Sequence, residues 1–294
     1  MLEVPSFPDS ETEADWAELS CLLNGKSVSR SEIESTLEDA NAEDVDDALD
    51  NIWQQIEWRH SRFPRSHPVD ASEGRLERTK TWRQALAYTF MLLLTCHAFY
   101  QNTRIKGNYW KETSKLFEEL VTNAVKGYLG YAINVGAPRQ DSVPRNFDNC
   151  LDYVCRLIRE RRGAKDPLIH WRKDAGVDVV AWRPFDDRSG QVILLVQCAA
   201  GERWYEKMNE IDPKRWGRLI HFAADPLRAL AFPKVYTVSS EESESRWLDY
   251  SSSGGILLDR LRITALASIV REPDLRDKMT TWCSQQIARL RWTE

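Results

Sequence analysis

A chain of 294 residues, 42% hydrophobic and 29% charged, is long enough for one large domain or two modest ones and has the composition of a globular protein. Its net charge of −5 conceals a division: residues 1–57 hold 16 acidic residues against Lys26 and Arg30, and the rest of the chain is net basic. The six cysteines form no CxxC pair and have no histidine cluster beside them, which argues against a zinc site and fits free thiols in a reducing, cytoplasmic compartment. The start "MLEVPSFPDSETEAD" lacks the apolar stretch of a secretory signal, and "ALAYTFMLLLTCHAFY" falls short of the roughly 20 residues of a membrane span, so no membrane partner is expected.

In chain order, residues from about 14 to 60 read as two or three short amphipathic helices, with Ser31 and Glu34 spaced as a capping box and Asp15 or Ser29 as further cap candidates. The Pro-, Ser- and Gly-rich run Phe63 to Gly74 reads as a linker. A buried helix is expected over about Leu76 to Gln101, and a periodic helix over "YWKETSKLFEELVTNAVKGYLGYA" with Phe117, Val121, Ala124 and Tyr128 on its apolar face. "PRNFDNCLDYVCRLIRERRG" gives another helix, whose end collects Arg156, Arg159, Arg161 and Arg162.

From about Leu168 the period changes. "GVDVVAW" and "QVILLVQCAA", joined by "RPFDDRSG", form a hairpin pattern. "ERWYEKMNEI" reads as a short helix ended by Asp212 and Pro213, "GRLIHFAA" and "FPKVYTVSS" as strands, and two stretches between about 254 and 292 as closing helices. The order predicts an α/β or α+β fold in which helices flank a mixed sheet. It divides into an acidic helical region and linker over 1–75 and a basic domain over 76–294.

An acid at the start of one strand, a polar residue on its neighbour and an acid on a preceding helix gather hard oxygen ligands of the kind Mg²⁺ prefers. "GVDVVAW … ILLVQCAAGERWYEK", preceded by "KLFEELV", resembles the PD-(D/E)xK nuclease superfamily, over about Asn108 to Ser239. That superfamily's core has a helix bearing Glu, a hairpin carrying Asp and then (D/E/Q)-x-Lys, a following helix and a further strand. Members with Gln in the third position resemble Mrr-like restriction nucleases.

The resemblance implies a restriction-endonuclease-like core in which Asp178, Gln197 and Glu118 hold Mg²⁺ or Mn²⁺. Asp174 is a second candidate for the central acid, and Glu118 borders the apolar helix face whereas Glu119 points away. The family lysine would fall at Ala199, so either the enzyme is inactive or a lysine comes from elsewhere; Lys207, ten residues after Gln197, is the expected substitute. Arg203 and Glu206 stand near it. Cys198 reads as a small core residue on the face opposite Gln197. Lys173, Arg203, Arg159 and Arg162 are candidate contacts to a nucleic-acid backbone.

The implied activity is metal-dependent phosphodiester hydrolysis, on DNA, as the effector of a prokaryotic defence or restriction-type system. The alternative is a degenerate nuclease fold that binds nucleic acid or assembles with other subunits. The acidic N-terminal helices suit a basic protein partner or a DNA mimic, and a homo-oligomer is open. No GxxxxGK[ST] loop, GxSxG elbow or HExxH motif occurs. Of the five histidines, only His170 and His221 lie near expected strand ends.

Overall fold

The structure is a computed structural model that describes residues 1–294 except 6, 8, 43, 73, 97–107, 140–141, 165–174, 268–271 and 293–294. It is mixed α and β, and the chain divides into two compact units, each discontinuous in sequence. The first comprises Met1–Lys111, Pro233–Glu244 and Asp259–Glu294; the second comprises Glu112–Phe232 and Ser245–Leu258. A boundary near residue 75 is not where compactness divides the chain. The physical reason lies in the apolar helix expected after it, which is the core of the first unit.

The first unit opens with α1 (Ser10–Leu23), β1 (Ser27–Ser29), α2 (Arg30–Asp39) and α3 (Val45–Arg62). The capping box at α2 belongs to Ser29, not Ser31: Ser29 Oγ accepts from the Glu32 N–H (3.2 Å), and Glu32 Oε2 accepts from the Ser29 N–H (2.7 Å). The expected linker contains β2 (Val69–Ser72), and Leu76, the expected helix start, lies in β3 (Arg75–Arg78). These strands form an antiparallel sheet in the order β1-β3-β2. Leu76 alternates buried between exposed Arg75 and Glu77, a strand pattern that a helical reading overlooks.

α4 (Leu86–Cys96) follows, buried along its whole length. It packs against α1, α9 (Arg260–Leu266) and α10 (Pro273–Ile287), with Phe90 meeting Trp282 edge to face at 4.9 Å. Surrounded by other helices, α4 has no solvent side, which accounts for an apolar run without polar interruption. Among the described residues, no helix is long and apolar enough to cross a membrane.

The second unit is built on a five-stranded mixed sheet in the order β10-β9-β7-β6-β4. α5 (Asn108–Leu129) precedes β4 (Tyr131–Asn134), α6 (Phe147–Ile158) and the two-residue β5 (Arg161–Arg162). β6 (Val179–Arg183) and β7 (Val192–Cys198) form the expected antiparallel hairpin, from Val179 opposite Val196 to Arg183 opposite Val192. A 3-10 helix (Trp204–Lys207), α7 (Pro213–Leu219) and β8 (Ile220–His221) lead to β9 (Leu227–Ala231), which runs parallel to β7. After α8 (Glu241–Gly254), β10 (Ile256–Leu258) runs parallel to β9.

Three differences from the sequence reading have local causes. "GYA" leaves the helix because Gly130, at φ 95°, ends α5, and Tyr131 begins a strand paired with β6. That leaves Tyr128 65% exposed, outside the apolar face it was expected to share. Asp212 and Pro213 begin a helix instead of ending one: Asp212 Oδ1 accepts from the Lys214 and Arg215 N–H groups at 2.9 and 3.3 Å. The strand expected in "FPKVYTVSS" lies just before it, in β9, because Pro233 has no N–H for a ladder.

The hairpin is buried on both faces. Val180, Trp182, Ile193 and Leu195 share a core with α6 and Trp216, and the alternate residues Val179, Ala181, Leu194 and Val196 are buried as well. Only in such a strand does an unbroken apolar run pack fully. Gln197 interrupts that run.

Candidate active site

The site is assembled where α5, the end of β4, and the β6–β7 hairpin meet. Asp178, just before β6, is fixed from both sides through its backbone. Its N–H donates to Val196 (2.9 Å), while the N–H groups of Val135 and Gly136 both donate to its carbonyl (2.7 and 3.0 Å). Its Oδ2 accepts from the Cys198 N–H at 2.8 Å. Asp178 is therefore a buried carboxylate held in one orientation.

Glu118 reaches the same place from α5. Both Glu118 Oε2 and Asp178 Oδ1 lie 2.8 Å from where a Cβ on residue 136 would stand, so glycine at that position leaves the space in which the two carboxylates converge. Asn134 Nδ2 donates to Glu118 Oε2 at 3.1 Å.

Gln197 is 7% exposed, and its Oε1 has no hydrogen-bond partner among the described residues. Its Nε2 makes one long bond, 3.4 Å, to the Cys198 carbonyl. Asp178 and Gln197 thus both address the Cys198 peptide, one at its N–H and the other at its C=O. An unpaired buried amide oxygen costs on the order of 1–3 kcal/mol, which apolar packing alone does not require.

The lysine of the site is Lys115, which sequence reasoning did not single out. Its Nζ donates to Glu118 Oε2 (2.7 Å), Asn134 Oδ1 (2.7 Å) and the Gly136 carbonyl (2.9 Å). One signal in the sequence pointed to it: Lys115 and Glu118 are three residues apart on one helix and so share a face. Asn134 and Gly136 lie between the two stretches read as helices, where the sequence carries no periodic signal. The Cys198 thiol is pushed well above its ordinary range, first by burial and then by the Asp178 and Glu118 carboxylates, with Lys115 opposing. All three charges thus act at Cys198.

The remaining expected residues fall elsewhere. Lys207 pairs with Glu210 on the surface, not with Glu118, Asp178 or Gln197. Ala199, where the family lysine would stand, is buried and carries no functional group. Arg203 pairs loosely with Glu206 at 3.4 Å. Arg162 is neutralised by Asp148 and Asp152 and also donates to the Leu219 carbonyl. Arg159 ends α6 at φ 61° and pairs with exposed Asp187. His221 is exposed in β8. Lys173, Asp174 and His170 lie outside the described residues.

Among the described residues, no three His, Cys, Asp or Glu side chains form a metal-binding cluster. Two carboxylates and an amide oxygen, completed by water, nevertheless suit Mg²⁺, which keeps several of its waters. The convergent carboxylates at Gly136 and the orphaned Gln197 oxygen fit that demand. No family model, curated protein or solved structure matches this chain.

Proposed function

We propose that this chain is a metal-dependent phosphodiester hydrolase acting on nucleic acid, with DNA as the substrate. Asp178, Glu118 and Gln197 hold a divalent cation, and Lys115 presents the positive charge that the family pattern places at Ala199. The reading is carried by the convergence of Glu118 Oε2 and Asp178 Oδ1 on Gly136 with Lys115 Nζ bonded to Glu118. A bound Mg²⁺ supplies Lewis-acid polarisation of a phosphate and acidification of a water.

The chain's own groups supply position and charge. Asp178 stays in place through four hydrogen bonds, with Val135, Gly136, Val196 and Cys198. Lys115, anchored by three acceptors, keeps an ammonium beside the carboxylates, where it offsets charge gathering on a phosphate. Gln197 contributes a neutral oxygen, so the site carries less negative charge than a three-carboxylate set and repels a polyanion less.

The test is cleavage of plasmid, linear and single-stranded DNA and of RNA with Mg²⁺ or Mn²⁺. Asp178→Ala and Lys115→Ala are expected to lower the rate by about 100-fold or more, and Lys207→Ala to leave it within about twofold. Metal-dependent cutting that survives Asp178→Ala would falsify the site. Binding without cutting on any substrate would select the degenerate fold, the reading favoured by the missing lysine at Ala199.

A further inference from the structure

A second polar cavity, of about 250 Å³, lies wholly within the first unit and serves none of the chemistry above. Four cationic side chains line it, Arg65, Lys80, Arg83 and Arg276, and none of its eleven lining residues is acidic. Among the described residues, none of the four is paired with a carboxylate. Lys80 Nζ donates to the Arg65 carbonyl, and the Arg83 guanidinium rests over the Trp82 ring at 4.2 Å, held without being neutralised.

Thr264 and the start of α4 line the same space. Thr264 is 6% exposed, and its buried Oγ1 has no hydrogen-bond partner among the described residues. The chain entering α4 borders it as well: the Ala85 N–H donates to the Thr81 carbonyl (3.0 Å), Thr81 Oγ1 accepts from the Gln84 N–H (3.3 Å) and Gln84 Oε1 accepts from the Thr81 N–H (2.9 Å), and the first turn of α4 follows. Leu86 and Ala87 of that turn line the cavity. Four cations without a carboxylate partner among the described residues, together with the Thr264 hydroxyl, form a donor set of the kind a phosphate oxyanion requires.

We propose that this cavity binds the phosphate of a small phosphorylated ligand. Its volume lies just below the roughly 300 Å³ at which pockets for drug-sized ligands begin, so it takes one or two phosphate groups and a short appendage, not a duplex backbone. Ala85, Leu86, Ala87 and Ala267 give the non-ionic side on which the appendage rests. The proposal does not depend on nuclease activity.

Calorimetric titration of the full chain with inorganic phosphate, pyrophosphate and a nucleoside diphosphate, in EDTA, tests it apart from any metal site. Saturable binding of at least one probe is expected, weakened about tenfold or more by Arg83→Ala or Arg276→Ala and unchanged by Asp178→Ala. Thr264→Val, which keeps the side-chain shape, should weaken binding severalfold with an unchanged circular dichroism spectrum. Pyrophosphate binding as tightly as the nucleoside diphosphate would restrict recognition to the phosphates, whereas tighter nucleotide binding would assign the appendage a nucleoside. Absence of binding by all three probes at millimolar concentration, or binding indifferent to both arginine substitutions, overturns the proposal.

Discussion

At Gln197 the proposed function and stability make opposite demands on one side chain. A buried amide oxygen without a partner costs stability that Met, similar in volume and apolar, would not. Gln197→Met should therefore unfold at the same or higher temperature, gaining up to about 1 kcal/mol, while losing metal-dependent cleavage. A loss of stability in thermal melts would show that the amide is a structural hydrogen-bonding group. Asp178 and Glu118 were both legible in the sequence, because an acid beside an apolar run is conspicuous. Lys115 was not: helices carry lysines everywhere on their solvated faces, and only the approach of Asn134 and Gly136 distinguishes this one.

At the scale of elements, the cap of α2 shows how neighbouring residues compete for one helix end. Ser29 and Ser31 both have a glutamate three residues later, so spacing alone did not choose between them. β1 chose, since it ends at Ser29 and the extended backbone there suits an N-cap. Ser29→Ala should cost about 1 kcal/mol in urea denaturation and Ser31→Ala only a few tenths. The reverse order of the two would return the cap to Ser31. The β6–β7 hairpin was legible because two apolar runs flank a polar turn. β4 was missed because four residues after a long helix carry no period of their own, and their pairing with β6 is long-range.

At the scale of the whole molecule, the first unit is closed by residues far apart in sequence around a buried ionic network. Asp15 of α1 accepts from Arg59 of α3 (2.8 Å) and from both terminal nitrogens of Arg260 of α9 (2.8 and 2.7 Å). Glu18 meets Arg59 at 3.1 Å, His67 at 2.8 Å and the Tyr88 hydroxyl. Burial alone would raise both carboxyls. For Asp15 the Arg260 and Arg59 charges outweigh it, and for Glu18 Arg59 and His67 do, so both are held below the usual carboxylate range.

A depressed folded-state pKa means that the unfolded chain binds the proton first, so this stabilisation is present above the unfolded pKa values and is lost as pH falls through the folded ones. Glu11 and Asp259, raised by burial, titrate with the opposite sign, but neither sits between two buried arginines as Asp15 does. Stability measured by urea titration should fall below about pH 4, and Glu18→Gln should flatten that acid limb while lowering stability at pH 7. An unchanged limb in Glu18→Gln would remove Glu18 from the account. Arg59→Met, which leaves two buried carboxylates short of a partner, should cost about 3–5 kcal/mol.

The sequence by itself determined the fold class, the long amphipathic helix and the hairpin, and marked out Asp178, Glu118 and Gln197, because each is written in a local period or in a polar residue out of place. Tertiary structure alone decided that Asn134 and Gly136 meet Lys115, that glycine stands beside the Glu118 and Asp178 carboxylates, and that 259–294 completes the unit begun at residue 1. Lys115 is three residues from Glu118, but the Asn134 and Gly136 contacts that distinguish it lie 19 and 21 positions away, and the segments that close the first unit lie at opposite ends of the chain. Ala199 lacks the family's lysine on its own strand; Lys115, 84 positions earlier in the sequence, brings an ammonium to Glu118.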